Sequence, residues 1–280
     1  MKTKLTIALT VLGLLVCLGV SHAAGKSIVI KGSDTMAMLG QAWAEAYMKS
    51  HSNVELSVQG GGSGTGITAL INGACDICQA SRAMKTKEID KCKEHNFLPV
   101  ATTVALDGIA ISVNAENPVK TLSLAQIKDI YTGKVTNWKQ VGGNDLPIVV
   151  LSRENSSGTY AYLQEFVLKN ERYTNTALMM PSTKAIQSEV SNNVRAIGYG
   201  GEAYFKGKAG VKVVLVSAKT GSAGIYPSDE NVRSSKYPIS RPLYFYTAGK
   251  PSGAIASFVK FCLSPNGQEL ATKLGYVALK

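Results

Sequence analysis

Histidine and tryptophan are scarce, with 3 and 2 residues in 280, and only 18% of the chain is charged. That leaves little imidazole for acid–base catalysis or metal binding, and neither HExxH nor GxSxG occurs. There is no GxxxxGK[ST], and the glycine run at 60–66 lacks the offsets of a dinucleotide fingerprint, so the usual nucleotide cradles are excluded. No block of five Lys or Arg exists, which argues against a nucleic-acid stripe despite a net charge of +11. A scattered positive balance suits an anionic ligand better. No repeat or low-complexity tract appears, and disorder, collagen and coiled coil do not fit a chain that is 45% apolar.

Long apolar runs are also absent beyond the first 20 residues. There, Lys2 and Lys4 precede the run Leu5 to Val20, which ends at Ser21-His22-Ala23. The run is shorter than the roughly 20 apolar residues a span requires, and the pattern predicts a secretory signal cleaved after Ala23. Val16 before Cys17 is not the small residue of a lipoprotein signal. Cleavage leaves 257 residues with 28 basic against 19 acidic, an exported and basic chain expected in the periplasm.

The rest reads as alternating strands and helices. Strands are expected at Ser27 to Lys31, Val54 to Val58, Asp76 to Ser81 and Ile148 to Leu151, with a β-prone run from Leu98 to Asn114 broken at Asp107-Gly108. Helices are expected at Met36 to Lys49, from Ile67, and over Lys85 to His95, Leu124 to Tyr131 and Tyr160 to Leu168. Such alternation predicts an α/β fold with helices on both faces of a parallel or mixed sheet and ligands at the strand C-terminal ends.

Three turns at such ends open helices and carry Thr35, Ser63 and Thr159. Their free helical N–H groups, the positive end of the macrodipole and the hydroxyls all donate, so each turn can hold an anion. Ordinary N-capping explains one such turn. Three together point to a shared small oxyanion.

The turns also carry a resemblance. Gly32-Ser33-Asp34-Thr35, Gln59-Gly60-Gly61-Gly62-Ser63-Gly64, Ala80-Ser81-Arg82, Asp107-Gly108-Ile109-Ala110, Thr136-Asn137-Trp138, Arg153 with Ser157-Gly158-Thr159, and Ile197-Gly198-Tyr199 follow one another as in PstS-type phosphate-binding proteins of ABC importers. These are type II periplasmic binding proteins. The resemblance covers essentially the whole exported chain. It implies two lobes, 24–109 plus 243–280 and 110–242, each a mixed, mostly parallel sheet flanked by helices, with crossovers near Asp107 to Ile111 and Arg241 to Tyr246.

The implied phosphate ligands are the Thr35 hydroxyl, the N–H groups of Thr35 and Met36, the Ser63 hydroxyl, the Arg153 guanidinium, and Ser157, Gly158 and Thr159. Many members place an Asp after the Ala-Ser pair to accept the proton of hydrogenphosphate; here Arg82 stands in its place. Either Arg82 makes a second charged contact while Asp107, or secondarily Asp34, takes the proton, or the site accepts a fully deprotonated oxyanion such as sulfate. The expected partners are inorganic phosphate and the permease and ATPase of an importer, with no cofactor, no nucleic acid and a monomeric state. A secreted phosphatase is the rival class, but no nucleophile and base pair is legible.

A micromolar Kd is about −8.2 kcal/mol, and small ligands reach at best about −1.5 kcal/mol per heavy atom. Five heavy atoms suffice only if nearly every oxygen is hydrogen-bonded, so the cleft is expected to close over its guest.

Four cysteines follow the signal. Cys75-x2-Cys78-x13-Cys92-x2-His95 has zinc-site spacing, but an oxidising compartment favours a disulfide from Cys92 to Cys75 or Cys78.

Overall fold

Short β-prone runs feeding polar, helix-opening turns produce ten strands and nine helices among the described residues, 26–279, of a computed structural model. The expected signal over 1–23 lies outside the described residues. In chain order the elements are β1 (Lys26–Gly32), α1 (Ala37–Ser50), β2 (Val54–Gln59), α2 (Ser63–Ile71), β3 (Ile77–Ala80), α3 (Thr86–Glu94) and β4 (Pro99–Asn114). Next come β5 (Thr121–Ser123), α4 (Leu124–Tyr131), β6 (Val149–Arg153), α5 (Gly158–Phe166), β7 (Leu178–Met180), α6 (Thr183–Asn192), β8 (Ala196–Gly201) and β9 (Val211–Ser217). The chain ends with α7 (Asp229–Arg233), β10 (Ser240–Ala248), α8 (Gly253–Leu263) and α9 (Pro265–Lys273).

Local chemistry fixes several boundaries. Ser123 and Gln126 form a reciprocal capping box that starts α4, and Ser264 caps α9 with Pro265 at its first position. Two helices begin earlier than the sequence pattern suggests. α2 starts at Ser63, inside the glycine run, and α5 at Gly158, so both hydroxyl-bearing turns are already first helical turns.

The strand order is β2-β1-β3-β10-β4-β8-β6-β7, with β9 pairing β4 and β5. β1 pairs β2 and β3 in parallel, and β6 pairs β7 and β8 in parallel. The antiparallel pairs gather at β4 and β10, the long strands that run between the lobes. The expected break at Asp107-Gly108 is not a break in the strand. β4 continues through it but changes partner, pairing β10 up to Gly108 and β8 from Ile109 onward.

Each lobe has its own core. In the first, Trp43 packs edge-on against Phe245 and donates its indole N–H to the Gly267 carbonyl at 2.7 Å. The second is built around Tyr131, Trp138 and Tyr199, all essentially inaccessible. Truncating one of these rings costs on the order of 3–5 kcal/mol, and the two clusters draw on largely different segments.

The cysteines correct an expectation. Cys75, Cys78, Cys92 and Cys262 are all buried free thiols, and the bridge from Cys92 to Cys75 or Cys78 is not formed. The first three share one apolar cluster among α2, β3 and α3 with Ile67, Leu70 and Met84, where each serves as a small apolar filler. Burial pushes the Cys75 thiol up to about 11 and the Cys78 thiol well above its ordinary range. Among the described residues no cluster of three or more His, Cys, Asp or Glu is placed to hold a metal.

Candidate functional site

Two strands of the first lobe deliver hydroxyls to one place. β1 ends at Gly32, and the chain turns through Ser33 into a 3-10 turn over Asp34–Met36 that buries Thr35 and Met36. The turn is braced from beneath. The Ser33 N–H donates to the Gln79 carbonyl at 2.7 Å, the Gln79 amide returns a bond to the Ser33 carbonyl at 3.0 Å, and the Tyr276 hydroxyl donates to the Thr35 carbonyl at 2.6 Å. β2 ends before the glycine run, and Ser63 opens α2. Its hydroxyl accepts the Ser81 N–H at 3.0 Å and lies 3.2 Å from the Ser81 hydroxyl.

The second lobe brings a matching turn. β6 ends in Arg153, and Ser157 caps α5 by accepting the Tyr160 N–H at 3.3 Å. That places Gly158 and Thr159 in the first turn of a nine-residue helix, with amides free of intrahelical partners. The strand end is held by Tyr199, whose hydroxyl accepts the Arg153 N–H at 3.1 Å and bonds the Ser152 hydroxyl at 2.9 Å.

The two sets meet across the cleft. The Thr35 and Thr159 hydroxyl oxygens are 3.0 Å apart. The Gly64 N–H donates to the Ser156 carbonyl at 2.9 Å, and the Ser156 hydroxyl to the Gly61 carbonyl at 3.1 Å. Two glycines make this approach possible. A Cβ on Gly158 would lie 2.7 Å from the Ser81 hydroxyl and 2.9 Å from the Ser63 Cβ; one on Gly62, where φ is +111°, would lie 2.5 Å from the Ser156 carbonyl oxygen.

Three arginines stand near the cleft, each paired with a carboxylate. Arg153 donates from Nη1 to Asp34 Oδ2 at 3.0 Å and to the Thr183 hydroxyl at 2.9 Å, and from Nε and Nη2 to the Met180 and Pro181 carbonyls. Asp34 Oδ2 also accepts the Thr183 N–H and hydroxyl, at 2.8 and 2.9 Å, at the start of α6. Asp34 therefore anchors one lobe to the other.

Arg241 donates from Nε and Nη2 to Asp107 Oδ2, at 2.9 and 2.7 Å, and from Nη1 to the Ser81 carbonyl at 2.9 Å. Its Nη2 also reaches the Thr159 hydroxyl at 3.0 Å and the Thr35 hydroxyl at 3.5 Å. The pair is sealed, with side chains 1% and 3% exposed. Burial pushes the Asp107 carboxyl up, against the opposing pull of the Arg241 charge.

Arg82 is engaged elsewhere. Its Nη1 and Nη2 grip Glu88 at 2.8 and 2.7 Å, and Nη1 also donates to the Ala83 carbonyl. Burial alone would raise the Glu88 carboxyl, but the Arg82 guanidinium and the Lys85 amide outweigh it and hold it below the usual carboxylate range.

The structure thus brings Thr35, Ser63, Gly158 and Thr159 together, with Met36 and Ser157 next to them in the chain, joins Asp107 to the two threonines through Arg241, and sets Arg153 on Asp34, beside Thr35. Arg82 faces Glu88. Sequence reasoning placed Arg241 only at a crossover. Its signal was the antiparallel pairing of the two crossing strands, which sets Arg241 opposite Asp107.

Residues 19–266 match the family described as the PBP superfamily domain. The phosphate-binding protein PstS of Pseudomonas aeruginosa is 32% identical over 265 residues, spanning 89% of this chain and 81% of that protein. A candidate phosphate ABC transporter substrate-binding protein from Clostridium perfringens, solved with bound phosphate, superposes with a TM-score of 0.82 at 36% identity, covering 91% of this chain and all of that one. An ABC-type phosphate transport receptor from Vibrio cholerae superposes with a TM-score of 0.72 at 31% identity, covering 89% of this chain and 99% of the other. With two lobes joined by shared strands and a donor-lined cleft between them, the chain belongs to the PstS-type phosphate-binding proteins of the type II periplasmic binding protein family.

Proposed function

We propose that this protein is an exported carrier that captures inorganic phosphate between its lobes and delivers it to the permease and ATPase of an ABC importer, acting as a periplasmic monomer. The observation that carries the reading is that three separate helix-opening turns come together in buried surroundings: the Thr35 and Thr159 hydroxyls lie 3.0 Å apart, and Ser63 packs against Gly158, the residue before Thr159. The likeness to relatives named for phosphate binding supports the choice of guest.

In this reading the hydroxyls of Thr35, Ser63, Ser157 and Thr159 and the amides of Thr35, Gly158 and Thr159 surround the anion, while the Met36 N–H closes the 3-10 turn on the Ser33 carbonyl at 3.1 Å. Arg153 contributes positive charge at the edge. Because each arginine is already matched by a carboxylate, most of the ligand's charge falls to hydroxyl and helix-end dipoles, which act strongly in a dry cleft. Asp107 is the carboxylate joined to those hydroxyls through Arg241, and in this reading it takes the proton of hydrogenphosphate; sulfate has none to give. The lobes are taken as 24–109 plus 243–280 and 110–242.

Calorimetry tests the reading. Phosphate and arsenate should bind tightly, and sulfate and molybdate at least tenfold more weakly. The absence of phosphate heat, or an equal affinity for sulfate, contradicts it. A phosphatase reading would need turnover of a phosphoester that depends on Ser63 or Thr159, whose polar neighbours here are other hydroxyls, an amide and a guanidinium.

A further inference from the structure

Resting on the phosphate reading, we propose that Arg241, held in place by Asp107, is a guanidinium that contacts the guest anion at the floor of the cleft, the second charged contact that one of the two sequence readings gave to Arg82. Three observations carry this.

The first is placement. Arg241 lies on β10 directly opposite Asp107 on β4, and the same Nη2 that pairs with Asp107 reaches the Thr159 hydroxyl at 3.0 Å and the Thr35 hydroxyl at 3.5 Å. An anion received by those two hydroxyls, one from each lobe, arrives beside that nitrogen. A guanidinium has five N–H donors. Four of them are accounted for here by Asp107, the Ser81 carbonyl and the threonine hydroxyls. One hydrogen on Nη1 is left over, and the one on Thr159 can be re-aimed, because a hydroxyl serves equally well as donor to an anion.

The second is the commitment of the alternatives. Both terminal nitrogens of Arg82 are engaged by Glu88. Arg153 spends three of its bonds on Asp34, Thr183 and Pro181 and a fourth on Met180. The third is the character of the pair itself. A fully buried ion pair is weak support for stability, since a well-packed apolar pair of similar volume often does as well or better. Within the cleft floor, a guanidinium fixed by its carboxylate before the ligand arrives supplies a preorganised charged donor with little ordering left to do.

The arrangement also couples the two ends of selectivity. Asp107 fixes Arg241, and the same carboxylate accepts the ligand's proton, so loss of either partner disturbs recognition of hydrogenphosphate more than that of sulfate.

The test is calorimetry with inorganic phosphate and with sulfate on four proteins: the unsubstituted chain, Arg241→Lys, Arg241→Gln, and the neutral double variant Asp107→Asn with Arg241→Gln. Thermal melting of each without ligand is recorded alongside. Arg241→Gln leaves Asp107 buried and unpaired and is expected to melt lower; the double variant removes that burden and recovers melting. Sulfate, which has no proton for Asp107 to accept, isolates the arginine: its affinity should stay roughly 10- to 150-fold below that of the unsubstituted chain in the double variant, the loss of one hydrogen bond to a charged group, and phosphate affinity should fall at least as far. Arg241→Lys, which keeps the charge but not the fork, should fall between. Recovery of sulfate affinity together with melting in the double variant would mean that the pair is only structural and overturn the inference. If the unsubstituted chain gives no phosphate heat, the phosphate reading fails first and this inference with it.

Discussion

Gly158→Ala isolates cleft closure from folding. Gly158 opens α5 with ordinary negative φ, since it is absent from the left-handed glycines, so alanine fits the backbone and suits a helix. The added methyl points at the other lobe, 2.7 Å from the Ser81 hydroxyl and 2.9 Å from the Ser63 Cβ. Both neighbours are buried and braced, the Ser63 hydroxyl by the Ser81 N–H at 3.0 Å, so neither yields without the lobes separating. An overpacked contact of this kind costs about 1–3 kcal/mol, which translates to a phosphate affinity weaker by roughly 5- to 150-fold. The penalty falls on the closed state alone. Each lobe keeps its own core, so melting without phosphate should be unchanged or slightly raised, while calorimetry shows the weaker binding and solution scattering shows less compaction on adding phosphate. Unaltered affinity and compaction in Gly158→Ala would refute the claim that this glycine sits in the closing contact.

Other consequences follow from the same contacts. Asp34→Ala removes the acceptor of Arg153 and of the α6 terminus in the closed arrangement, so adding phosphate should compact this variant less than the unsubstituted chain in solution scattering; identical compaction would remove Asp34 as the anchor between lobes. Because Glu88 titrates below its unfolded value, its contribution to stability is present above pH ~4.5 and is lost as the pH falls through the folded-state value. Glu88→Gln should therefore be less stable than the parent near neutrality, with the difference shrinking in acid; a constant difference from pH 7 to pH 3 would contradict the pairing. Cys75, Cys78, Cys92 and Cys262 should react with an alkylating reagent only after unfolding and without prior reduction; peptide mapping that finds Cys92 joined to another of them would restore the disulfide.

What could be read from the chain, and what could not, divides along sequence distance. The helix-opening turns at Thr35, Ser63 and Thr159 are local features of a strand, a polar turn and a helix, so their donors were visible before any fold was known. Their convergence was suggested by their number and their place at strand ends, and the resemblance strengthened it, since nothing within each turn says where the others go. The partner of Arg82 was not legible although it is close in the chain: Glu88, six residues on, lies where the first turn of α3 presents its carboxylate to the guanidinium. Arg241 was hidden for the opposite reason. Its link to Asp107 spans 134 residues and depends on the register of two antiparallel strands, including a shift between Leu243 and Tyr244. Asp34 was legible only as a secondary proton acceptor because its partners Arg153 and Thr183 belong to the other lobe. The cysteines were read by compartment, whereas here packing fills a core with thiols.

The most direct test is a crystal structure of the protein grown with arsenate, a tetrahedral isostere of phosphate whose arsenic is located by anomalous scattering. The account predicts a single strong peak between the lobes, with oxygens in hydrogen-bonding range of Thr35, Ser63 and Thr159 and of an Arg241 N–H. A peak only on the outer surface, or a cleft that closes with those hydroxyls turned away from the arsenic, would contradict it.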